Sequence, residues 1–353
     1  MHPVSITTRI PSIDIYATYR CNLRCKHCFV GPRLELGTHF KLDLLRNLIK
    51  TAPSWGTNEV TFLGGEPSLY PHLVEVIGLC QDVGMKARIV TNGQKSFERF
   101  MDAFEGRELP HVCFSIDGSD RSVNDAIRGK GAFDKLIRAI SIANSRGYQT
   151  SGIISISRAN ASDCELLLEL CEQLGFEYVN VHYVTNRGYA TADSVLSIEE
   201  WLALVQVITA KSQTLKLDVR VERTFVPNRE FAGGCAVREQ SNLMFFPDGR
   251  VYICAMFIDL PNAHSYTWTD QGLIPNHFGF SERRTCAQES PVHCPAIARV
   301  NPGLAEEAQK RGLAVRCIYD KSCLRLGQET IDTHGKHLSP RATREVCDEA
   351  PLI

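Results

Sequence analysis

The chain has almost no net charge: 39 Lys and Arg against 40 Asp and Glu leave −1 at pH 7. Nucleic-acid binding draws on a broad basic field, and this balance offers none. The chain also lacks any run of about 18 apolar residues, the length that would signal a membrane-spanning helix. Met1 to Pro11 has no apolar core of the kind a secretory signal carries. Internal repeats and low-complexity tracts are missing. So are paired C-x2-C units, the usual mark of a zinc knuckle. These absences exclude nucleic acid and membrane as expected partners and place the chain in the reducing cytoplasm. There, clustered cysteines read as metal ligands rather than as a disulfide framework.

Cysteine is what the chain has in excess, at 14 of 353 residues. Three lie within eight positions, Cys21, Cys25 and Cys28, spaced C-x3-C-x2-C. A [4Fe–4S] cube takes thiolate ligands on its irons. A tight loop with three of them serves three irons and leaves the fourth open to a non-protein ligand, as a catalytic zinc keeps one position open. By spacing alone, a zinc site or disulfides remain alternatives.

Apolar runs alternate with helical patterns over residues 13–222. Strands are expected at Ile13–Thr18, Glu59–Leu63, Lys86–Val90, His111–Ile116, Gln149–Ser157 and Tyr178–Val184. Helices are expected at Leu42–Ala52, Leu73–Val83, Phe133–Ser145, Cys164–Leu174 and Ile198–Lys211, three of them closed by Gly84, Gly147 and Gly175. Serial βα units imply a parallel sheet with helices outside, curled by right-handed crossovers into a barrel or part of one. The motifs fall at the carboxyl ends of successive strands, the rim where barrel enzymes do chemistry. These motifs are the cysteine loop, Gly64-Gly65-Glu66-Pro67, Thr91-Asn92-Gly93 and Ser115-Ile116-Asp117-Gly118. Ser155 and Ser157 on the fifth strand are candidates to face the interior, and on the sixth strand either His182 or Tyr183 points inward. Cys80, Cys113, Cys164 and Cys171 sit in apolar elements and read as buried thiols, although Cys113 is also a conceivable hydrogen donor.

The ordered set resembles the radical S-adenosylmethionine (radical SAM) enzymes over residues 12–225. The resemblance implies an α/β fold, a partial (β/α)6 TIM-like barrel, with SAM chelated at the open iron. It implies reductive cleavage of SAM to a 5′-deoxyadenosyl radical that abstracts hydrogen from a substrate. His27 then lies against the adenine, and the Gly64–Pro67 backbone meets the SAM amino group. Glu66 is an acceptor there, and Thr91, Asn92, Ser115, Asp117, Arg128 and Ser155 are further cofactor contacts. An external one-electron reductant of flavodoxin or ferredoxin type is implied as partner. Arg128-Gly129 with Phe133 resembles the peptide-modifying branch.

Beyond Pro227 strand signals thin out and seven cysteines appear: Cys235, Cys254, Cys286, Cys294, Cys317, Cys323 and Cys347. Cys235 and Cys254, with the turn Pro247-Asp248-Gly249 between them, resemble the opening of a SPASM or twitch extension, and Cys317 and Cys323 fit it too. That implies one or two auxiliary [4Fe–4S] clusters. The C-x2-C-x5-C-x3-C block of the full extension is missing, and seven thiolates fall one short of two complete cubes, with His293 a possible substitute. The expected organisation is a tail over 1–11, a core barrel over 12–225 and a loop-rich cluster domain over 226–353. The expected substrate is a peptide or protein side chain or α-carbon. The alternatives are a small molecule such as an aminocyclitol or amino sugar, or a non-catalytic electron-transfer scaffold.

Overall fold

The computed structural model describes residues 6, 9–104, 108–230, 242–260, 262–276, 294, 297, 301–316 and 324–326. Its frame is a run of parallel strands: β1 (Ser12–Thr18), β2 (Glu59–Gly64), β3 (Lys86–Thr91), β4 (His111–Ser115), β5 (Thr150–Ile156), β6 (Tyr178–Tyr183) and β7 (Asp218–Val221). Helices pack outside them: α1 (Leu42–Thr51), α2 (Leu73–Asp82), α3 (Lys95–Ala103), α4 (Arg121–Arg128), α5 (Ala132–Ser145), α6 (Cys164–Gln173) and α7 (Ile198–Ser212). Both faces of β1 are buried, as a sheet covered by helices on one side and closed on itself on the other requires. The expected partial barrel is the fold.

The sheet also runs further than six strands. β7 follows α7, and β8 (Phe225–Pro227) leads away from it. Next, β9 (Asn242–Phe245) lies parallel to β1, with Ser12–Ile15 opposite Asn242–Phe245. The strands β10 (Arg250–Tyr252), β11 (Tyr266–Thr269) and β12 (Gly272–Pro275) continue from β9 as an antiparallel meander. The hairpin read at Pro247-Asp248-Gly249 is the β9–β10 turn. Farther on, α8 (Pro302–Lys310) precedes β13 (Leu313–Val315), which pairs with β8, and β14 (Leu324–Leu326) pairs with β7.

Side chains alternate along each strand, so the barrel interior is layered. The floor is polar. Asp14 accepts from Asn242 Nδ2 at 2.9 Å, Arg88 pairs with Glu59 at 3.1 Å, and Arg220 lies 3.8 Å over the Tyr178 ring. Above the floor, Tyr16, Leu63, Val90 and Ile153 form an apolar collar. No described helix is long and apolar enough to cross a membrane.

Candidate functional site

At the carboxyl ends of the strands lies an open cavity of about 300 Å3. The cysteine loop that follows β1 forms one wall, so Cys21, Cys25 and Cys28 all line it, and no other cysteine does among the described residues. Burial holds all three thiols protonated: Cys21 is pushed up to about 12, Cys25 to about 11, and Cys28 upward as well. Metal coordination removes those protons outright. Donors already face the sulfurs. The Leu23 amide is 3.4 Å and Asn92 Nδ2 3.7 Å from Cys21 Sγ, and Arg128 Nη1 is 4.0 Å from Cys25 Sγ. Among the described residues, no three Cys, His, Asp or Glu side chains close around a single-ion position. Three thiols on one wall match the donor set of a cube with one open iron.

The base of the loop is locked by β2. Gly65 donates to the Thr18 carbonyl and Glu66 to the Arg20 carbonyl, each at 2.8 Å. A Cβ on Gly65 would fall 2.3 Å from the Arg20 oxygen, so only glycine fits here. The room that the double glycine makes is thus taken up by the chain's own backbone at residues 18–20. Glu66 is buried, and its carboxylate is turned inward. It accepts from the Ser68 amide (3.1 Å) and hydroxyl (2.6 Å), from Thr91 Oγ1 (2.8 Å) and from the Asn92 amide (2.8 Å). It ties the ends of β2 and β3 together, and Pro67 opens the short turn that follows. Asn92 then holds the loop through Asn22 at 2.8 Å. The far end of the loop rests on the β6–α7 connection. A Cβ on Gly188 would fall 2.1 Å from the Cys28 oxygen, and the Tyr189 amide donates to that oxygen at 3.0 Å.

Asp117, just beyond β4, is fully buried and ties the next wall together. Its Oδ2 meets His27 Nε2 at 2.6 Å and Arg128 Nη2 at 2.7 Å, and its Oδ1 accepts from the Ser155 amide at 2.8 Å. Burial alone would raise its pKa, but Arg128 and His27 outweigh that and hold it near 2. His27 and Arg128 both line the cavity, as do Ser115, Ser155, Thr91 and Asn92. The Arg128 side chain is only 7% exposed. Ser157 is buried against Asn160 and does not line the cavity.

On β6 the inward residue is His182. The Tyr183 hydroxyl donates to the Leu196 carbonyl at 2.7 Å and its ring packs edge-on against Trp201, away from the centre. His182 Nδ1 meets Glu222 Oε1 at 2.6 Å. Glu222, Thr185 and Arg187 also line the cavity, and none of them was singled out from sequence. Glu222 was legible in principle: it continues the alternation Asp218, Arg220, Glu222 of β7, a strand the sequence reading did not assign.

Cys80, Cys113, Cys164 and Cys171 are buried as expected. Cys113 lies two residues below the cavity-lining Ser115 and is absent from the lining. Of the C-terminal cysteines, Cys254 is buried at the start of a short turn, and the amide of buried Cys294 donates to the Val315 carbonyl at 2.7 Å. Cys235, Cys286, Cys317, Cys323, Cys347 and His293 lie outside the described residues.

The sequence profile of the Radical SAM superfamily matches residues 15–171, a span that contains the end of β1, the cysteine loop and strands β2–β5. Over that span the chain is similar to the radical SAM superfamily. The Fe-coproporphyrin III synthase of Methanosarcina barkeri is 29% identical over 202 residues, covering 56% of this chain and 50% of that protein. The chain therefore spans about half the length of that curated relative. The PqqA peptide cyclase of Ruegeria pomeroyi is 26% identical over 270 residues, covering 72% of this chain and 70% of the cyclase. Streptococcus suis SuiB, solved bound to precursor peptide SuiA, shares the fold with a TM-score of 0.64 at 17% identity, covering 81% of this chain and 66% of SuiB.

Proposed function

We propose that this protein is a radical SAM enzyme that abstracts hydrogen from a peptide or protein substrate, at a side chain or an α-carbon. The observation that carries the reading is the convergence of three thiols and the ends of six strands on one cavity. Cys21, Cys25 and Cys28 would hold the cube. When bound, the cube supplies one electron to SAM and so yields a 5′-deoxyadenosyl radical. The protein's share is placement and exclusion of water. The Leu23 amide, Asn92 and Arg128 aim donors at the sulfurs, which tunes cluster potential. Asp117 fixes His27 and Arg128 on the wall where the cosubstrate would lie. The collar of Tyr16, Leu63, Val90 and Ile153 keeps the centre dry. The reductant would be an external protein of flavodoxin or ferredoxin type.

The cavity is open at the strand ends, so a peptide can present one reacting group to it from outside. The likenesses to PqqA peptide cyclase and SuiB agree with this. The likeness to an Fe-coproporphyrin III synthase favours a second reading, radical modification of a small molecule.

The test is anaerobic reconstitution followed by SAM, dithionite and the short peptides encoded beside the gene. The expected products are 5′-deoxyadenosine and a peptide lighter by two hydrogens or crosslinked. If no peptide changes while an amino-sugar alcohol or a porphyrin is consumed, the small-molecule reading replaces this one.

A further inference from the structure

Cys25 borders two hollows. It lines the open cavity with Cys21 and Cys28, and it alone of the three also lines a second recess of about 600 Å3, shared with Arg24, Lys26, Glu35 and Tyr189. Arg24, Lys26 and Glu35 are exposed, so this recess reaches the cysteine loop from the solvent side. The cations there are fastened to the loop. Arg24 Nη1 donates to the Cys21 and Leu23 carbonyls, each at 3.0 Å, and Nε meets Glu35 at 3.4 Å, yet the side chain stays 49% exposed. The Lys26 amide donates to the Ile127 carbonyl at 3.0 Å, which sets exposed Lys26 against the last turn of α4, with exposed Lys130 just past it. On the other flank, exposed Arg20 lies along the turn that follows the loop, its Cγ 3.9 Å from where a Cβ on Gly37 would stand. In that turn Leu36 is 57% exposed; the other large apolar side chains exposed among the described residues, Leu166 and Val207, lie on α6 and α7.

The chain as a whole is nearly neutral, at −1, but this part of its surface is not. Arg20, Lys26 and Lys130 have no ion-pair partner among the described residues. Of the acids nearby, Glu35 is engaged by Arg24 and the Tyr189 hydroxyl, and Asp259 by Arg33 at 2.7 Å. Asp193, between the recess-lining Thr191 and Ser194, is exposed at the far edge. We propose that this outer face of the cysteine loop is the docking surface of an acidic one-electron carrier protein, with Leu36 as its apolar contact and Arg20, Arg24, Lys26 and Lys130 as its basic rim. The inference rests on the cube assigned above to Cys21, Cys25 and Cys28. The carrier gives up one electron, the cube gains it, and Cys25 is the ligand that borders the contact.

Electron transfer needs close approach rather than a tight complex. Redox encounters bury little surface, under about 1,200 Å2, and complementary charge supplies speed of encounter more than affinity. A basic rim around an exposed leucine has that make-up. An acidic substrate peptide is the rival occupant. Its reacting group must enter the open cavity, however, and Arg24 and Lys26 line the other recess and not that cavity. The rim therefore favours the carrier.

The test uses the reconstituted full chain without SAM or substrate, and a flavodoxin as probe. Reduced flavodoxin is mixed with the oxidised chain, and bleaching of the cluster's absorption is followed. An Arg20→Glu/Lys26→Glu double variant should slow this step about 10-fold or more at low salt and flatten its fall with rising ionic strength. Lys86→Glu, an equal change of charge at the exposed amino end of β3, should do neither. Photoreduced deazaflavin, a small neutral donor, should reduce the wild type and both variants alike. Leu36→Ser should weaken flavodoxin binding and leave its salt dependence as in the wild type. Binding is read apart from electron flow, by NMR of isotope-labelled oxidised flavodoxin titrated with the chain, so it decides even where no cube assembles. Failure to hold iron sinks the cluster reading, whereas failure of the double variant to weaken binding overturns the docking surface. Equal slowing by Lys86→Glu, or slowing with deazaflavin as well, overturns it too. So does a double variant that raises the KM of a peptide while its flavodoxin binding stays unchanged, since the surface would then belong to the peptide.

Discussion

Asp117 concentrates the electrostatics of the site in one buried carboxylate with two partners, the Arg128 guanidinium and the His27 ring. Such a group is costly to remove because the partners stay behind. Asp117→Asn leaves Arg128 and His27 facing a neutral amide, and the expected loss is about 3–5 kcal/mol, measured by urea unfolding. Because His27 lies between Cys25 and Cys28, the same variant should hold less iron after reconstitution. Asp14 on the barrel floor is the opposite case. Burial raises it to about 7, with Glu59 adding and with Asn242 and Arg88 opposing. A folded pKa above the unfolded one contributes stability below about pH 4 that is lost as pH rises through 7. Asp14→Asn, which keeps the Asn242 hydrogen bond, should therefore raise stability by about 1–3 kcal/mol at pH 8 and by nearly nothing at pH 4. Thermal melts of the two proteins at both pH values check this.

Between elements, the notable joint is that of β9 with β1. It brings Phe246 onto Tyr16, with ring centroids 4.2 Å apart, and beside Tyr19 at 6.1 Å. The Tyr19 hydroxyl donates to Asp248 at 3.3 Å, and Arg33 pairs with Asp259 at 2.7 Å. Residues 19 and 33 flank the cysteine loop, so the β9–β12 meander grips it at both ends. Phe246→Ala should cost about 3–5 kcal/mol and should also speed loss of iron to a chelator. Leu167→Ala on α6 should cost about 2–5 kcal/mol with iron loss unchanged. If both variants lose iron alike, the effect is general destabilisation and the grip does nothing specific.

The same joint explains what was legible and what was not. The motif-bearing strands β1–β4 announce themselves by short apolar runs ending in Gly, Asn or Asp, and the cysteine spacing names its own chemistry. Helix α3 was missed although Phe97, Phe100, Met101 and Phe104 recur at helical spacing, and all four are buried. Helix α4 was missed because it is short and polar, fixed by Asp120 accepting from the Val123 amide at 3.0 Å rather than by an apolar stripe. The pairing of β9 with β1 joins residues 228 apart in the pair Asp14–Asn242, and no local pattern encodes a partner at that distance. Gly65 and Glu66 line the cavity and also brace the chain, Gly65 through the Thr18 carbonyl and Glu66 through Arg20, Ser68, Thr91 and Asn92. A sequence shows that glycine is needed, not which surface comes close.

For the whole molecule, the number of iron centres decides how the radical's chemistry ends. Seven cysteines follow Pro227, and the two that are described are both buried, Cys254 at the turn after β10 and Cys294 beside β13. Auxiliary centres at these thiols would accept the electron that a substrate radical must shed to become a closed-shell product, and their number is open to a direct count. Iron and sulfide per chain, measured after anaerobic reconstitution of a Cys21/Cys25/Cys28→Ala variant beside wild type, separate the possibilities. Retention of about four irons, one cube's worth, would mean one auxiliary centre, and about eight would mean two. In either case the variant should lose all SAM cleavage. Retention of none would make this a single-cluster protein. Its substrate radical would then have to recover its hydrogen from 5′-deoxyadenosine or pass its electron to an outside partner, and the expected chemistry would shift from net oxidation toward rearrangement or epimerisation.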